Sequence, residues 1–147
     1  MNGHVITNFV GSNGSDHTQP FCDQCGAATI INCPSCNAPQ KGSMVDVIGS
    51  TRTPDAYCWS CGKPYPWTAT RLEAAADLVT EDELLSESEK LQLTSTFTDL
   101  TSENPRTTLA ATRFKRILMN AGKGAGEAIQ KTLVDIASET AKKIILG

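Results

Sequence analysis

The chain reads as an α+β protein. A small zinc-ribbon-like β module occupies residues 1–67, and a region of about four α-helices occupies residues 68–147. Three observations carry that reading. All six cysteines fall into three C-x-x-C pairs, Cys22/Cys25, Cys33/Cys36 and Cys58/Cys61. Both tryptophans, both tyrosines and six of the seven prolines also lie at or before Trp67. Beyond it the only proline is Pro105, and apolar residues recur at helical spacing.

Within the first region, Val5, Ile6, Phe9 and Val10 suit a short strand, and the polar run 11–19 suits a loop. Thr29-Ile30-Ile31 reads as a β segment between two cysteine pairs, and Met44 to Ile48 as another, closed by Gly49. Pro64 and Pro66 predict an extended path leading out of the third pair.

Two capping-box patterns, Thr70 with Glu73 and Thr80 with Glu83, open the helical region. The first predicts a short helix with Leu72, Ala75, Ala76 and Val79 on one face. The second predicts a longer helix over 81–100. Its apolar pattern shifts between Leu84/Leu91 and Leu93/Phe97/Leu100, which predicts a bend or break near Thr94. Asn104-Pro105 is a helix start, with an apolar stripe of Ala110, Phe114, Ile117, Leu118 and Ala121 running toward Asn120. After Gly122, Gly124 and Gly126, a final helix over 125–146 places Ile129, Leu133, Ile136, Ala137 and Ile144 on one wide face. Glu127/Lys131 and Glu139/Lys143 are set to pair on the other side.

The net charge of −3 is unevenly spread. Residues 1–67 carry −1, residues 68–103 carry −7, and residues 104–147 carry +5. Successive blocks of opposite sign predict that they pack together or that one meets a partner. No stretch approaches the roughly 20 apolar residues of a membrane span, and the N-terminus lacks the charge and apolar pattern of a secretion signal. The expected compartment is the cytoplasm, where cysteines serve as metal ligands or catalysts more often than as disulfides.

All six cysteines are therefore candidate Zn2+ ligands. A C-x-x-C turn offers two thiolates from one tight loop, and two such turns complete a tetrahedral site. Gly26 and Gly62 follow the second cysteine of their pairs, whereas Asn37 stands at that position after Cys36. Three arrangements satisfy these ligands. Cys22, Cys25, Cys58 and Cys61 bind one zinc, an arrangement favoured by the shared glycine. Cys22, Cys25, Cys33 and Cys36 form a short-loop site instead. Or two zincs are bound, with His4 and His17 completing eight ligands.

Four-cysteine sites are closed and structural, and catalytic zinc keeps an open position. The chain has no H-E-x-x-H and no H-x-E, its only histidines are His4 and His17, and no βαβ pattern surrounds any pair. Gly122 to Gly126 does not match the Walker pattern. No catalytic residue and no organic cofactor is predicted. Nucleic-acid binding needs a basic footprint, and the only cluster is Arg106, Arg113, Lys115, Arg116 and Lys123, over 105–123. Trp59, Tyr65 and Trp67 are expected to cover the zinc and form the small core beneath it.

The runs Phe21-Cys22-x-x-Cys25-Gly26-Ala27, Thr29-Ile30-x-x-Cys33-Pro34-x-Cys36 and Tyr57-Cys58-x-x-Cys61-Gly62-Lys63-Pro64-Tyr65-Pro66-Trp67-Thr68 resemble a bacterial family known only as a domain of unknown function. The resemblance extends to Leu72-x-Ala74-Ala75 and to the closing Asp135 to Lys143. It implies a bacterial protein, zinc-ribbon-like at its N-terminus and helical after it, and it supplies no activity. The function expected on these grounds is a non-enzymatic zinc-binding adaptor or regulator. It would engage a protein partner, or a second copy, through the face from Ile129 to Ile144. The alternatives are nucleic-acid binding through the basic helix and an accessory role in an enzyme complex.

Overall fold

The computed structural model describes residues 20–41 and 54–147. The chain divides into two compact units, Met1–Thr70 and Arg71–Gly147.

The described part is mostly helical and contains no β-strand, which corrects the α+β expectation. Where a β module was expected, the described residues form only three isolated bridges, Phe21↔Ala28, Asn32↔Pro39 and Tyr57↔Pro64. The reason lies in the cysteine turns. Each turn closes its arms with a single bridge, and its backbone groups are satisfied inside the turn, so no ladder grows from it. Thr29 donates its amide to the Pro20 carbonyl at 2.9 Å, as one arm of such a turn rather than part of a sheet. The strands expected at Val5–Val10 and Met44–Ile48 lie outside the described residues.

Six helices follow among the described residues: α1 (Pro66–Glu81), α2 (Glu87–Ser95), α3 (Phe97–Leu100), α4 (Thr107–Leu118), α5 (Lys123–Val134) and α6 (Glu139–Leu146). Helix α1 begins at Pro66, four residues ahead of the predicted cap at Thr70. Proline lacks the amide that a first helical residue leaves unbonded, and its fixed φ suits that position. The amides of Thr68 and Ala69 both reach the Tyr65 carbonyl. Thr70 thus lies inside the helix, and Pro66 does not prolong an extended path.

The second predicted box is also displaced. Thr80 bonds back to the Ala76 carbonyl, and the true box is Ser86/Glu89, with the Glu89 carboxylate accepting the Ser86 amide at 3.0 Å. The predicted break appears between α2 and α3, where the Thr96 hydroxyl donates to the Leu93 carbonyl at 2.6 Å. The shift of apolar phase has a clear cause: Leu84 and Leu91 are exposed, whereas Leu93, Phe97 and Leu100 are buried.

Helix α4 carries the predicted stripe. Ala110, Phe114 and Ile117 are buried, and Leu118 and Ala121 pack at the edge of the core. Phe114 meets Phe97 edge-to-face, with centroids 6.4 Å apart, a pairing that contributes about 1 kcal/mol beyond area burial. The last predicted helix is in fact two, α5 and α6. Ser138 caps α6 through the Ala141 amide and donates its own amide to the Leu100 carbonyl at 2.8 Å. Past this break the apolar phase moves to Ala141 and Ile145. Glu139 consequently pairs with Lys142 at 2.9 Å rather than with Lys143. Of the opposed charge blocks, Arg106 meets Asp99 at 3.4 Å. Ile129, Leu133, Ile136 and Ala137 face the helical unit's own core.

Candidate metal centre

The three cysteine turns are copies of one backbone template. In each, the amide of the first cysteine donates to the carbonyl five positions on: Cys22 to Ala27, Cys33 to Ala38, Cys58 to Lys63. The residue after the second cysteine donates back to the first cysteine's carbonyl: Gly26 to Cys22, Asn37 to Cys33, Gly62 to Cys58. These six bonds span only 2.8–2.9 Å. The back-bonding residue must take positive φ, and Gly26, Asn37 and Gly62 stand at 68°, 58° and 70°. Glycine accepts that region freely, and asparagine is among the few other residues that visit it routinely.

Two of the turns converge. Cys33, Cys36, Cys58 and Cys61 place all four sulfurs within 4.8 Å of one another. The Cys33 and Cys61 sulfurs are 3.8 Å apart, as are those of Cys36 and Cys58. Tetrahedral Zn–S bonds of about 2.3 Å place neighbouring sulfurs about 3.8 Å apart, so the donor set fits one such ion. The Trp59 indole N–H, on the third turn, donates to the Pro39 carbonyl on the second at 2.8 Å, and ties the two turns together.

Beneath the cluster, Cys33 and Cys58 are buried with Tyr65 and Trp67, and Ile30 and Ala38 pack at the margin. The two rings stack at 4.7 Å with 19° between their planes. The Trp67 indole N–H donates to the Asp55 carbonyl, and the Thr68 hydroxyl to the Ala56 carbonyl. The first turn of α1 is thereby fixed against the segment that enters the third cysteine turn. Trp59 behaves differently from its expected role: it is 54% exposed, with the Lys41 ammonium 5.7 Å from its ring centre.

The surroundings split the acidities of the third pair. The Cys61 amide, and then the Ser60 amide, hydrogen-bond the Cys58 sulfur and hold this thiol down at about 6 against the pull of burial. The Lys63 amide acts on Cys61 in the same sense, but burial and the crowding of Cys36, Cys58 and Cys33 outweigh it and push Cys61 up to about 11. Thiolates this close repel one another, and a divalent cation that binds all four relieves that repulsion. Burial, followed by the neighbouring Cys58, raises the Tyr65 phenol to about 12, so it stays protonated beside the Cys58 sulfur that it hydrogen-bonds.

A family model described as "Uncharacterized protein conserved in bacteria (DUF2321)" matches residues 1–145. The chain belongs to the DUF2321 family. The cysteine cluster fits the zinc-ribbon-like C-x-x-C region expected of that resemblance, although its backbone forms turns rather than strands. No curated protein and no solved structure matches the chain.

The pairing within this DUF2321 chain differs from both one-zinc arrangements read from the sequence, and it is compatible with the two-zinc arrangement, which fixed no pairing. Cys58 and Cys61 join Cys33 and Cys36, and Cys22 and Cys25 are outside the cluster. His4 and His17 lie outside the described residues. The glycine signal misled because Asn37 meets the same conformational demand, so glycine carries no information about which turns pair. A better signal was present. The second and third turns share the pattern C-x-S-C-x-x-P, with Ser35 and Ser60, Pro39 and Pro64, and the first turn has Gln24 and Ala28 at those positions. No helix among the described residues is long and apolar enough to cross a membrane.

Proposed function

We propose that this chain is a non-enzymatic, zinc-stapled interaction protein of the cytoplasm, with one Zn2+ held by Cys33, Cys36, Cys58 and Cys61. The observation that carries the reading is the pair of 3.8 Å sulfur–sulfur distances, the spacing of a closed tetrahedral thiolate site. Four sulfurs leave no coordination position for water or substrate, which argues for a structural ion over a catalytic one. Among the described residues the buried cluster beneath the sulfurs is small, Cys33, Cys58, Tyr65 and Trp67, which supports an ion that substitutes for a core.

The interaction role rests on what the surface retains. Trp59 and Phe21, each beside a cysteine turn, are largely exposed, as are Leu84, Leu91 and Met119 in the helical unit. A protein partner or a second copy is favoured over nucleic acid because the basic cluster is partly engaged internally. Arg106 pairs with Asp99, and the Lys115 ammonium donates to the Ile144 carbonyl. Metal analysis of the purified chain tests the zinc, with loss of the ion expected in Cys58→Ser. A metal content in that variant equal to that of the wild type overturns the assignment. Tight binding to an unrelated duplex at low salt, abolished by reversing Arg113 and Arg116, would replace the protein-partner reading with the nucleic-acid one.

A further inference from the structure

The first cysteine turn repeats the two that form the cluster, yet the cluster does not include it. We infer that Cys22 and Cys25 are half of a second site for a soft divalent cation such as Zn2+. The ground is the repeat itself. Cys22 is buried and Cys25 exposed, the same alternation as Cys33/Cys36 and Cys58/Cys61. Phe21↔Ala28 closes the turn at the register of Asn32↔Pro39 and Tyr57↔Pro64. The arm bond from Thr29 to Pro20 at 2.9 Å repeats Gln40 to Ile31 at 2.9 Å and Tyr65 to Ala56 at 3.0 Å. Gly26 takes the same positive φ as Asn37 and Gly62.

This hydrogen-bond pattern is a backbone property and requires no sulfur. A turn serving only as a turn has no need of cysteine at both positions where the other two copies present ligands. The template points two sulfurs from one loop, and a tetrahedral cation then takes two further donors. Nitrogen or sulfur donors suit a cation already held by two thiolates. The chain offers two histidines, His4 and His17, and a second copy offers another Cys22/Cys25 pair. On binding, each thiol that is protonated releases its proton to solvent, and two S–metal bonds form with no change of oxidation state.

The experiment is metal stoichiometry of the full chain, reconstituted with Zn2+ and read by native mass spectrometry, with Co2+ absorption in parallel. Serine replacements keep the size of the side chain and the turn. The wild type is expected to hold two ions per chain, or three per two chains where a second copy completes the site; C22S/C25S should hold one per chain, and C33S/C36S one per chain or one per two chains, with far-UV circular dichroism reporting that the helices persist. A wild-type chain that holds a single ion, kept in C22S/C25S, overturns this inference and leaves the four-cysteine site standing. A single ion lost in C22S/C25S and kept in C33S/C36S overturns the four-cysteine site instead. Loss of one ion in His4→Ala/His17→Ala, in a species of one-chain mass, assigns the chain's own imidazoles as the remaining donors. An ion that persists there in a species of two-chain mass assigns a second copy.

Discussion

The Asp82 carboxylate accepts the backbone amide of Gly122, 40 positions away, at 3.0 Å. Its other oxygen accepts the amides of Leu84 and Leu85, each at 2.9 Å. One buried side chain therefore closes the end of α1, shapes the turn into α2 and receives the amide that precedes α5. A carboxylate in these bonds stabilises more than a neutral acceptor, and its removal leaves buried donors unmet. Asp82→Ala is expected to destabilise the helical unit by about 2–3 kcal/mol. Asp82→Asn should fall between that variant and wild type, because one acceptor oxygen remains. Urea unfolding followed by far-UV circular dichroism measures both, and an unchanged midpoint in Asp82→Ala would remove the role assigned to this residue.

Acid should weaken the helical unit through the same carboxylate and two others. Burial alone would raise the pKa of Asp82, but the amides of Gly122, Leu85 and Leu84, with Lys90 nearby, outweigh it and hold the group below the ordinary value of 3.8. The Ser86 hydroxyl and amide, with Asn120, hold Glu89 below 4.5, and the Thr140 amide does the same chiefly for Glu103. A carboxyl whose folded value is depressed binds its proton less readily than in the unfolded chain. Its contribution is complete above the unfolded value and disappears as the pH falls through the folded one. Thermal midpoints should stay level above about pH 5, then drop as the medium passes below these ordinary values. Asp82→Asn, which has no charge to lose, should show a shallower drop.

Much of the helical unit is legible in the sequence because its periodicity and core coincide. The stripe Ala110, Phe114, Ile117 and the small face Leu72, Ala75, Ala76, Val79 are where the pattern places them. Boundaries are harder to read, because several residues compete to cap each helix. In the acidic run 80–89, Thr80/Glu83 and Ser86/Glu89 match the same motif, and only tertiary contact decides between them. Asp82 turns toward Gly122, which ends α1 and leaves Ser86 to begin α2. Ser138 was hidden within a helix-compatible run, and its cap is fixed by the Leu100 carbonyl, a partner distant in sequence. The six cysteines announce a metal centre, but pairing depends on approach in space. Trp59 reaching Pro39 settles the union of the second and third turns, and C-x-S-C-x-x-P is its only local trace.

The two tryptophans, Trp59 and Trp67, both belong to the cysteine region, so intrinsic tryptophan fluorescence reports on that region, whereas most of the helical signal arises from the other unit. Stripping the ion with a strong chelator under reducing conditions should shift the tryptophan emission to the red, as the stacked Tyr65–Trp67 pair opens to water. The far-UV signal should retain most of its helical amplitude. Returning Zn2+ should reverse the shift. A coincident loss of both signals would mean that the metal centre supports the helices as well. Trp59→Phe, which removes the bond to Pro39, should lower metal affinity about fivefold, in line with the loss of one neutral hydrogen bond of about 1 kcal/mol.

The positive φ of 58° at Asn37 yields the last prediction. Asn37 occupies the position held by Gly26 and Gly62 in the other turns, and its amide must reach the Cys33 carbonyl at 2.8 Å for the second turn to present its sulfurs. Its side-chain oxygen also accepts from the Asn32 amide group at 3.2 Å, an exposed contact of small energetic weight. Asn37→Gly should therefore leave metal affinity within about threefold of wild type, since glycine adopts this region without steric cost. Asn37→Val is the opposite case, because a β-branched side chain in the left-handed region costs at least about 1–2 kcal/mol. That cost should appear as a loss of roughly tenfold or more in Zn2+ affinity. Competition titration against a chromophoric chelator resolves these differences. Equal affinities for the glycine and valine variants would show that the second turn is not held in its left-handed conformation when the ion binds.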